Sequence, residues 1–256
     1  MSGLAVIQAR MGSTRFPGKV LELINGKAIL LHIVERLRAV GPIDEIVVAI
    51  PDGEGDQPLR TFCRKNTISF WAGSETDVLD RYRGAAQRYG GDPVLRITAD
   101  CPLTDPETVE ELIAMYRSGS YDYVAVAAGA DAEGLTEGRF PDGLDAECFS
   151  FAALETAWRE ATDVRDREHV TRFFWKNKHR FRCGKLFSDA HYSEYRLTVD
   201  HPLDLELVRR VYAELGAGQR IFGLAEVIAF LERESKVAGM NRHLMEAQNY
   251  RDVAKD

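Results

Sequence analysis

Three cations fall within one short loop near the start of this 256-residue chain. Arg10, Arg15 and Lys19 are carried by Ala9-Arg10-Met11-Gly12-Ser13-Thr14-Arg15-Phe16-Pro17-Gly18-Lys19, directly after the apolar run Leu4–Gln8. Gly12, Ser13, Pro17 and Gly18 mark the stretch as a loop. A glycine-bearing loop that leaves a strand can turn backbone N–H groups toward one point. With Arg and Lys beside them, that point suits a polyphosphate. The spacing is not that of a Walker loop, because Val20 follows Lys19 where Ser or Thr is required. No third glycine completes a dinucleotide fingerprint. On composition alone, a surface loop with solvated charges is an equal alternative.

Two aspartates have matching surroundings. In Arg96-Ile97-Thr98-Ala99-Asp100-Cys101-Pro102-Leu103 an apolar run ends in Asp100 and a proline stops it. In Leu197-Thr198-Val199-Asp200-His201-Pro202-Leu203-Asp204 another apolar run ends in Asp200, with a proline opening a helix. Aspartates from two distant strand ends can converge on one divalent cation. Magnesium takes one or two carboxylates and fills its octahedron with phosphates and water. The competing role is helix capping. Asp105 is better placed than Asp100 to cap the helix at Pro106. Asp200 lies beside His201 at the next cap, and spacing alone favours capping for Asp200 by a small margin. Asp204, in the first helical turn, is expected to act through the helix dipole.

The elements that must position these residues alternate along the chain. Strands are expected at Leu4–Gln8, Ile46–Ile50, Ile68–Trp71, Val94–Thr98 and Tyr121–Ala127. Helices are expected at Ile29–Val40, Gln57–Lys65, Val78–Tyr89 and Pro106–Arg117. This order predicts an α/β fold with a doubly wound, mainly parallel sheet, Rossmann-like, with ligands at the carboxyl ends of strands. Ala128–Pro141 lacks periodicity and reads as a mobile loop or lid. Beyond it come strands at Gly143–Phe149, Phe181–Phe187 and Tyr195–Val199. Helices are expected at Phe151–Glu160, Asp166–Lys178, Pro202–Leu215 and Leu224–Glu232. The tail Met240–Asp256 reads as an exposed helix or frayed end.

Composition narrows the function classes. The formal net charge is −7, which disfavours nucleic acid as the main partner. The hydrophobic fraction of 45% suits a single domain over residues 1–256 with a sizeable core. No window reaches a membrane-spanning length, and the first apolar run is too short for a signal peptide. Cys63, Cys101, Cys148 and Cys183 form no CxxC pair, so neither a disulfide framework nor a zinc site is expected, and a cytoplasmic setting follows.

Gln8-Ala-Arg-Met-Gly-Ser-Thr-Arg-Phe-Pro-Gly-Lys19 resembles the opening motif of the CMP-sugar synthetases, and most closely the spore-coat polysaccharide biosynthesis protein F branch. The likeness runs through nearly the whole chain. It implies a cytidylyltransferase that moves CMP from CTP to a hydroxyl of an acidic sugar or related acceptor and releases pyrophosphate. By resemblance, Gln8, Ala9, Arg10, Gly12, Ser13, Arg15, Lys19, Gly73 and Ser74 bind nucleotide. Arg10, Lys19, Asp100 and Asp200 are catalytic, and Asp100 and Asp200 hold Mg²⁺. The block Gly73-Ser-Glu-Thr-Asp-Val-Leu-Asp-Arg81 is similar to one that follows the third strand in the same branch, and Asp77 and Arg81 are weaker candidates there. Asp145, Glu147, Glu168 and His169 are acceptor candidates. Related synthetases pair through the middle of the chain, so a homodimer is expected, with lid and dimerisation features within 128–187. Met11, Phe16, Cys101 and His201 depart from the eight-carbon branch and leave the acceptor open. A nucleotide-sugar-dependent glycosyltransferase and a non-catalytic nucleotide-binding subunit are the alternatives. The first needs an acidic pair at one strand end, where Asp100-Cys101-Pro102 offers one acid.

Overall fold

The computed structural model describes residues 3–129, 138–217 and 220–248. The strands are β1 (Gly3–Gln8), β2 (Leu23–Ile24), β3 (Lys27–Ala28), β4 (Ile43–Pro51), β5 (Ser69–Gly73), β6 (Val94–Thr98), β7 (Tyr123–Val126), β8 (Ala146–Phe149) and β9 (Cys183–Leu186), of which β1, β4, β6 and β7 are rich in β-branched or aromatic residues. Between and after them lie α1 (Ile29–Arg38), α2 (Gln57–Lys65), α3 (Val78–Tyr89), α4 (Pro106–Arg117), α5 (Phe151–Glu160), α6 (Val164–His169), α7 (Arg172–Lys176), α8 (Pro202–Leu215), α9 (Leu224–Arg233), α10 (Ser235–Ala238) and α11 (Arg242–Gln248).

Seven strands form one sheet in the order β5-β4-β1-β6-β8-β7-β9. All neighbours pair in parallel except around β8, which runs antiparallel to both β6 and β7. The expected doubly wound, mainly parallel sheet is therefore present. Alternation along β1 sends Ala5 and Ile7 into one core with α1, α4 and α8, and Leu4 and Val6 into a second core with α3, α5 and α7. From β1 the chain winds outward through β4 to β5, then returns to lay β6 on the opposite side of β1. The carboxyl ends of β1 and β6 thus flank the topological switch point.

The departures from the sequence reading have local causes. Tyr195–Val199 is not a sheet strand. Its residues hydrogen-bond across the end of β6 and the start of β8: Leu197 N–H to the Asp142 carbonyl at 2.7 Å and Val199 N–H to the Asp100 carbonyl at 2.8 Å. That close crossing requires Gly143, whose φ is 99° and where a Cβ would lie 2.3 Å from the Thr198 nitrogen. The single helix expected over Asp166–Lys178 is two, α6 and α7, broken where Val170 takes φ 54° and the Thr171 N–H donates to the His169 carbonyl. Val170 itself is fully buried, so packing holds a β-branched residue in the left-handed region. The β2–β3 hairpin was not expected, although Asn25-Gly26, both at positive φ, carries its signal. Of the expected lid, residues 130–137 lie outside the described residues. Its flanks are tied by hydrogen bonds between Gly129 and Phe140, and by Arg139, which donates to the carbonyls of Ala128 and Gly129.

Candidate active site

At the switch point a cavity of about 210 Å³ opens between the ends of β1 and β6. Gln8, Ala9, Thr98 and Ala99 form its floor. Arg10, Ser13, Thr14, Arg15, Lys19, Asp100 and Asp200 line the rest, and Arg15 meets Asp200 at 3.0 Å. The loop is shaped by its own backbone. The N–H groups of Ser13 and Gly18 donate to the Met11 carbonyl at 3.0 and 2.9 Å, and the Met11 N–H donates to Asp56 at 2.6 Å. Gly18, at φ 74°, starts the 3₁₀ turn Lys19–Leu21 and so brings Lys19 inward, where it is 8% exposed.

Lys19 Nζ bonds Asp100 Oδ2 and Asp200 Oδ1, each at 2.9 Å. The two aspartates, one hundred residues apart, therefore converge on one cation. The cation between them is the ammonium that the resemblance placed among the nucleotide-binding residues. Burial works against the charge on Lys19, but Asp100 and then Asp200 outweigh it and raise its pKa. Burial opposes ionisation of Asp200 as well. Lys19, Arg15 at 3.0 Å and Arg196 at 3.1 Å prevail and lower its pKa.

Asp200 does not cap α8. His201 is the cap residue, and the carboxylate that receives its N–H is that of Asp204, at 2.9 Å. Asp204 is more than a dipole partner. It is fully buried and also accepts from the Asp200 N–H, from Arg196 and from Asn241. Neither Arg196 nor Asn241 was singled out in the sequence. Arg196 also reaches Asp142 at 2.7 Å. Removing one member of a buried ion pair costs roughly 3–5 kcal/mol, so Arg196 holds shape as well as charge.

The remaining candidates fall into three groups. Asp145 is exposed, adjoins Asp100 and Glu147, and accepts the Gly143 N–H at 3.1 Å. Glu147, on β8, is engaged by Arg96 at 2.5 Å, Tyr123 at 2.5 Å and Thr171 at 2.6 Å. Glu168 and His169 are exposed at the end of α6, next to the turn that presents Thr171 to Glu147. Gly12 is exposed and does not line the cavity. Gly73 packs on Trp71 and Arg81, and Ser74 Oγ receives the Asp77 N–H at 3.0 Å. Asp77 caps α3 and pairs with Arg167. Arg81, the other weaker candidate, is 1% exposed and donates to the Ser74 carbonyl. Cys101 is no nucleophile: burial, and then Asp100, push its thiol well above the usual range.

Burial, and next the charge of Asp145, raise Asp142 to about 7, against the pull of Arg196, and Asp145 is raised too. Raised carboxylates hold protons in the folded chain that the unfolded chain has released. Stability therefore falls as pH climbs from the ordinary carboxylate range through about 7. Asp145→Asn is expected to raise Tm near pH 8 and to change it little near pH 3, below the ordinary carboxylate range. A thermal-unfolding series in which the two chains differ equally at both pH values would remove this account.

The cytidylyltransferase family's sequence model matches residues 4–220, most of the chain. The chain belongs to the cytidylyltransferase family. It is 29% identical to the spore coat polysaccharide biosynthesis protein SpsF of Bacillus subtilis, over 92% of this chain and 96% of that one. It is 34% identical to the 3-deoxy-manno-octulosonate cytidylyltransferase of Geobacter metallireducens over 110 residues, 43% of this chain and 42% of that one. The structure of a cytidylyltransferase from Leptospira borgpetersenii superposes with a TM-score of 0.83 at 27% identity, covering 93% of this chain and 97% of the other. The expected family and fold are thus correct. As a cytidylyltransferase, the chain keeps a cationic loop, two convergent aspartates and a cleft at the switch point. No helix among the described residues is long and apolar enough to cross a membrane.

The donor set also bears on magnesium. Two carboxylates from separate segments already share one cation, in a cavity that Arg10 and Arg15 also line. Among the described residues no three His, Cys, Asp or Glu side chains are grouped to hold a metal. Two carboxylates, completed by phosphate and water, fit what magnesium takes and leave the protein alone short of a full shell.

Proposed function

We propose that this cytidylyltransferase transfers CMP from CTP to a hydroxyl of an acidic sugar or related acceptor. The reading rests on one observation above the others: Asp100 and Asp200 meet on a single buried cation beneath the Arg10–Lys19 loop. Gln8, Ala9, Arg10, Gly12, Ser13, Arg15, Lys19, Gly73 and Ser74 form the nucleotide side in this reading. Arg10, Arg15 and Lys19 bind the triphosphate and neutralise the departing pyrophosphate. Asp100 and Asp200 hold Mg²⁺, which when bound supplies charge neutralisation at the transferring phosphate. The acceptor oxygen forms its bond to the α-phosphorus as the bond to the bridging oxygen breaks. The hydroxyl proton passes to solvent and pyrophosphate leaves. The protein contributes positioning and fixed charge, without a covalent intermediate. Asp145, Glu147, Glu168 and His169 are the acceptor candidates of this scheme. The name of the Geobacter relative supports an acidic sugar as the acceptor class.

The deciding experiment screens the four nucleoside triphosphates for binding, then measures acceptor-dependent pyrophosphate release with 3-deoxy-manno-octulosonate and a nine-carbon acidic sugar. CTP-specific release is expected. Binding without turnover for every acceptor, or preference for another triphosphate, would overturn the reading.

A cytoplasmic homodimer completes the proposal. β9 is an edge strand of the sheet, and Val164, Trp175 and Phe187, three exposed large hydrophobic residues, lie within 128–187. Sedimentation at working concentration is expected to give a dimer. A monomer would refute the pairing.

A further inference from the structure

Asn241 lies in a polar tail and outside residues 4–220, the span matched by the family's sequence model, yet it is 1% exposed. Its Nδ2 donates to the Arg196 carbonyl at 3.0 Å and to Asp204 Oδ1 at 2.8 Å. Both amide hydrogens thus meet acceptors, and this fixes the orientation of the group. The Asn241 Oδ1 is buried with no hydrogen-bond partner among the described residues. A buried amide with an unsatisfied oxygen is costly, so the value of Asn241 lies in its donor end.

Arg196 and Asp204 connect that donor end to Asp200. Asp204 Oδ2 accepts the N–H groups of Asp200 at 3.0 Å and His201 at 2.9 Å. Arg196 NH2 spans Asp204 Oδ2 at 3.2 Å and Asp200 Oδ2 at 3.1 Å. The main chain of Asp200 is therefore held by Asp204, and its Oδ2 by Arg196 from within the protein and by Arg15 from the cavity, at 3.0 Å. The other oxygen, Oδ1, faces the Lys19 ammonium. Arg196 has no exposed side-chain surface, so no solvent competes for these bonds.

We infer that Asn241 is a positioning residue which, through Arg196 and Asp204, sets which oxygen of Asp200 is turned to the cation position. The C-terminal segment is then part of the catalytic unit. The inference rests on the proposed role of Asp200 as a metal ligand. Groups that orient a ligand in this way are worth roughly 10–100-fold in metal affinity or activity.

Asn241→Leu keeps the side-chain volume and removes both donors. With Mn²⁺ as the probe and CTP present, its Mn²⁺ dissociation constant, read by electron paramagnetic resonance, is expected to rise about tenfold. kcat is expected to fall by a similar factor, with KM for CTP within about twofold of the parent. Val237→Ala is the control. It loosens packing in the same segment against the core without touching the three linked residues. It is expected to lower Tm and leave Mn²⁺ affinity unchanged. If Asn241→Leu does not fold, Asn241→Ser, which keeps one donor, takes its place with a smaller loss of the same kind. A folded Asn241 variant that matches the parent in Mn²⁺ affinity and kcat overturns the inference, and so does equal loss in Val237→Ala. If the parent with CTP binds no Mn²⁺, the metal role of Asp200 fails first and takes the inference with it.

Discussion

Asp100→Asn and Asp200→Asn should each remove most turnover, by roughly 10³, because charge stabilisation by a bound metal is worth several kcal/mol. An amide oxygen is a poorer magnesium ligand than a carboxylate. The double variant should be little worse than either single one, since losing one ligand already spoils the shared site. The two variants should differ in stability. Asp200 faces Lys19, Arg15 and Arg196 together, whereas Asp100 bonds Lys19. The pKa of Asp200 is lowered in the folded chain. Its stabilising contribution is therefore present above the ordinary carboxylate range and is lost as pH falls through the folded value. Asp200→Asn should lower Tm at neutral pH, and the gap should close in acid. Initial rates over a magnesium series, with thermal unfolding beside them, make the check. Near-normal magnesium-dependent turnover in Asp200→Asn would break the two-aspartate site.

Lys19→Ala should weaken triphosphate binding by about 1.5–3 kcal/mol, the worth of a charge-assisted contact, or roughly 10–100-fold. Turnover should fall with it. The structure adds a cost in stability, because Lys19 is the cation shared by Asp100 and Asp200 and is almost fully buried. Its raised pKa makes that contribution complete below the ordinary lysine range and lost only as pH rises through the folded value. The loss should thus be full at neutral pH. Calorimetric titration with CTP decides the matter: an unchanged affinity would place the phosphates elsewhere.

The strand-end places of Asp100 and Asp200 were readable because each follows an apolar run and precedes a proline, but spacing alone favoured capping for Asp200, and only the family resemblance paired the two. The helices Gln57–Lys65, Val78–Tyr89, Pro106–Arg117 and Pro202–Leu215 were readable to the residue because their caps and prolines are local signals. Strand direction was not. Ala146–Phe149 has the same alternation whichever way it runs, and its antiparallel place between β6 and β7 is decided by the chain around it. The split at Val170 was hidden because a β-branched residue is a poor candidate for positive φ. Arg196 and Asn241 were passed over for one reason: charged and amide groups read as surface until their partners, distant in sequence, are known.

Gly143 does no chemistry, yet a complete scan of single substitutions would score it beside Asp100. Any side chain there meets the Leu197–Thr198 backbone at less than van der Waals distance, and that backbone carries Arg196 and Asp200 into the cleft. Intolerance at position 143 would report a steric tolerance passed along the main chain. A map of mutational sensitivity would therefore draw the active site larger than the set of atoms that touch a substrate.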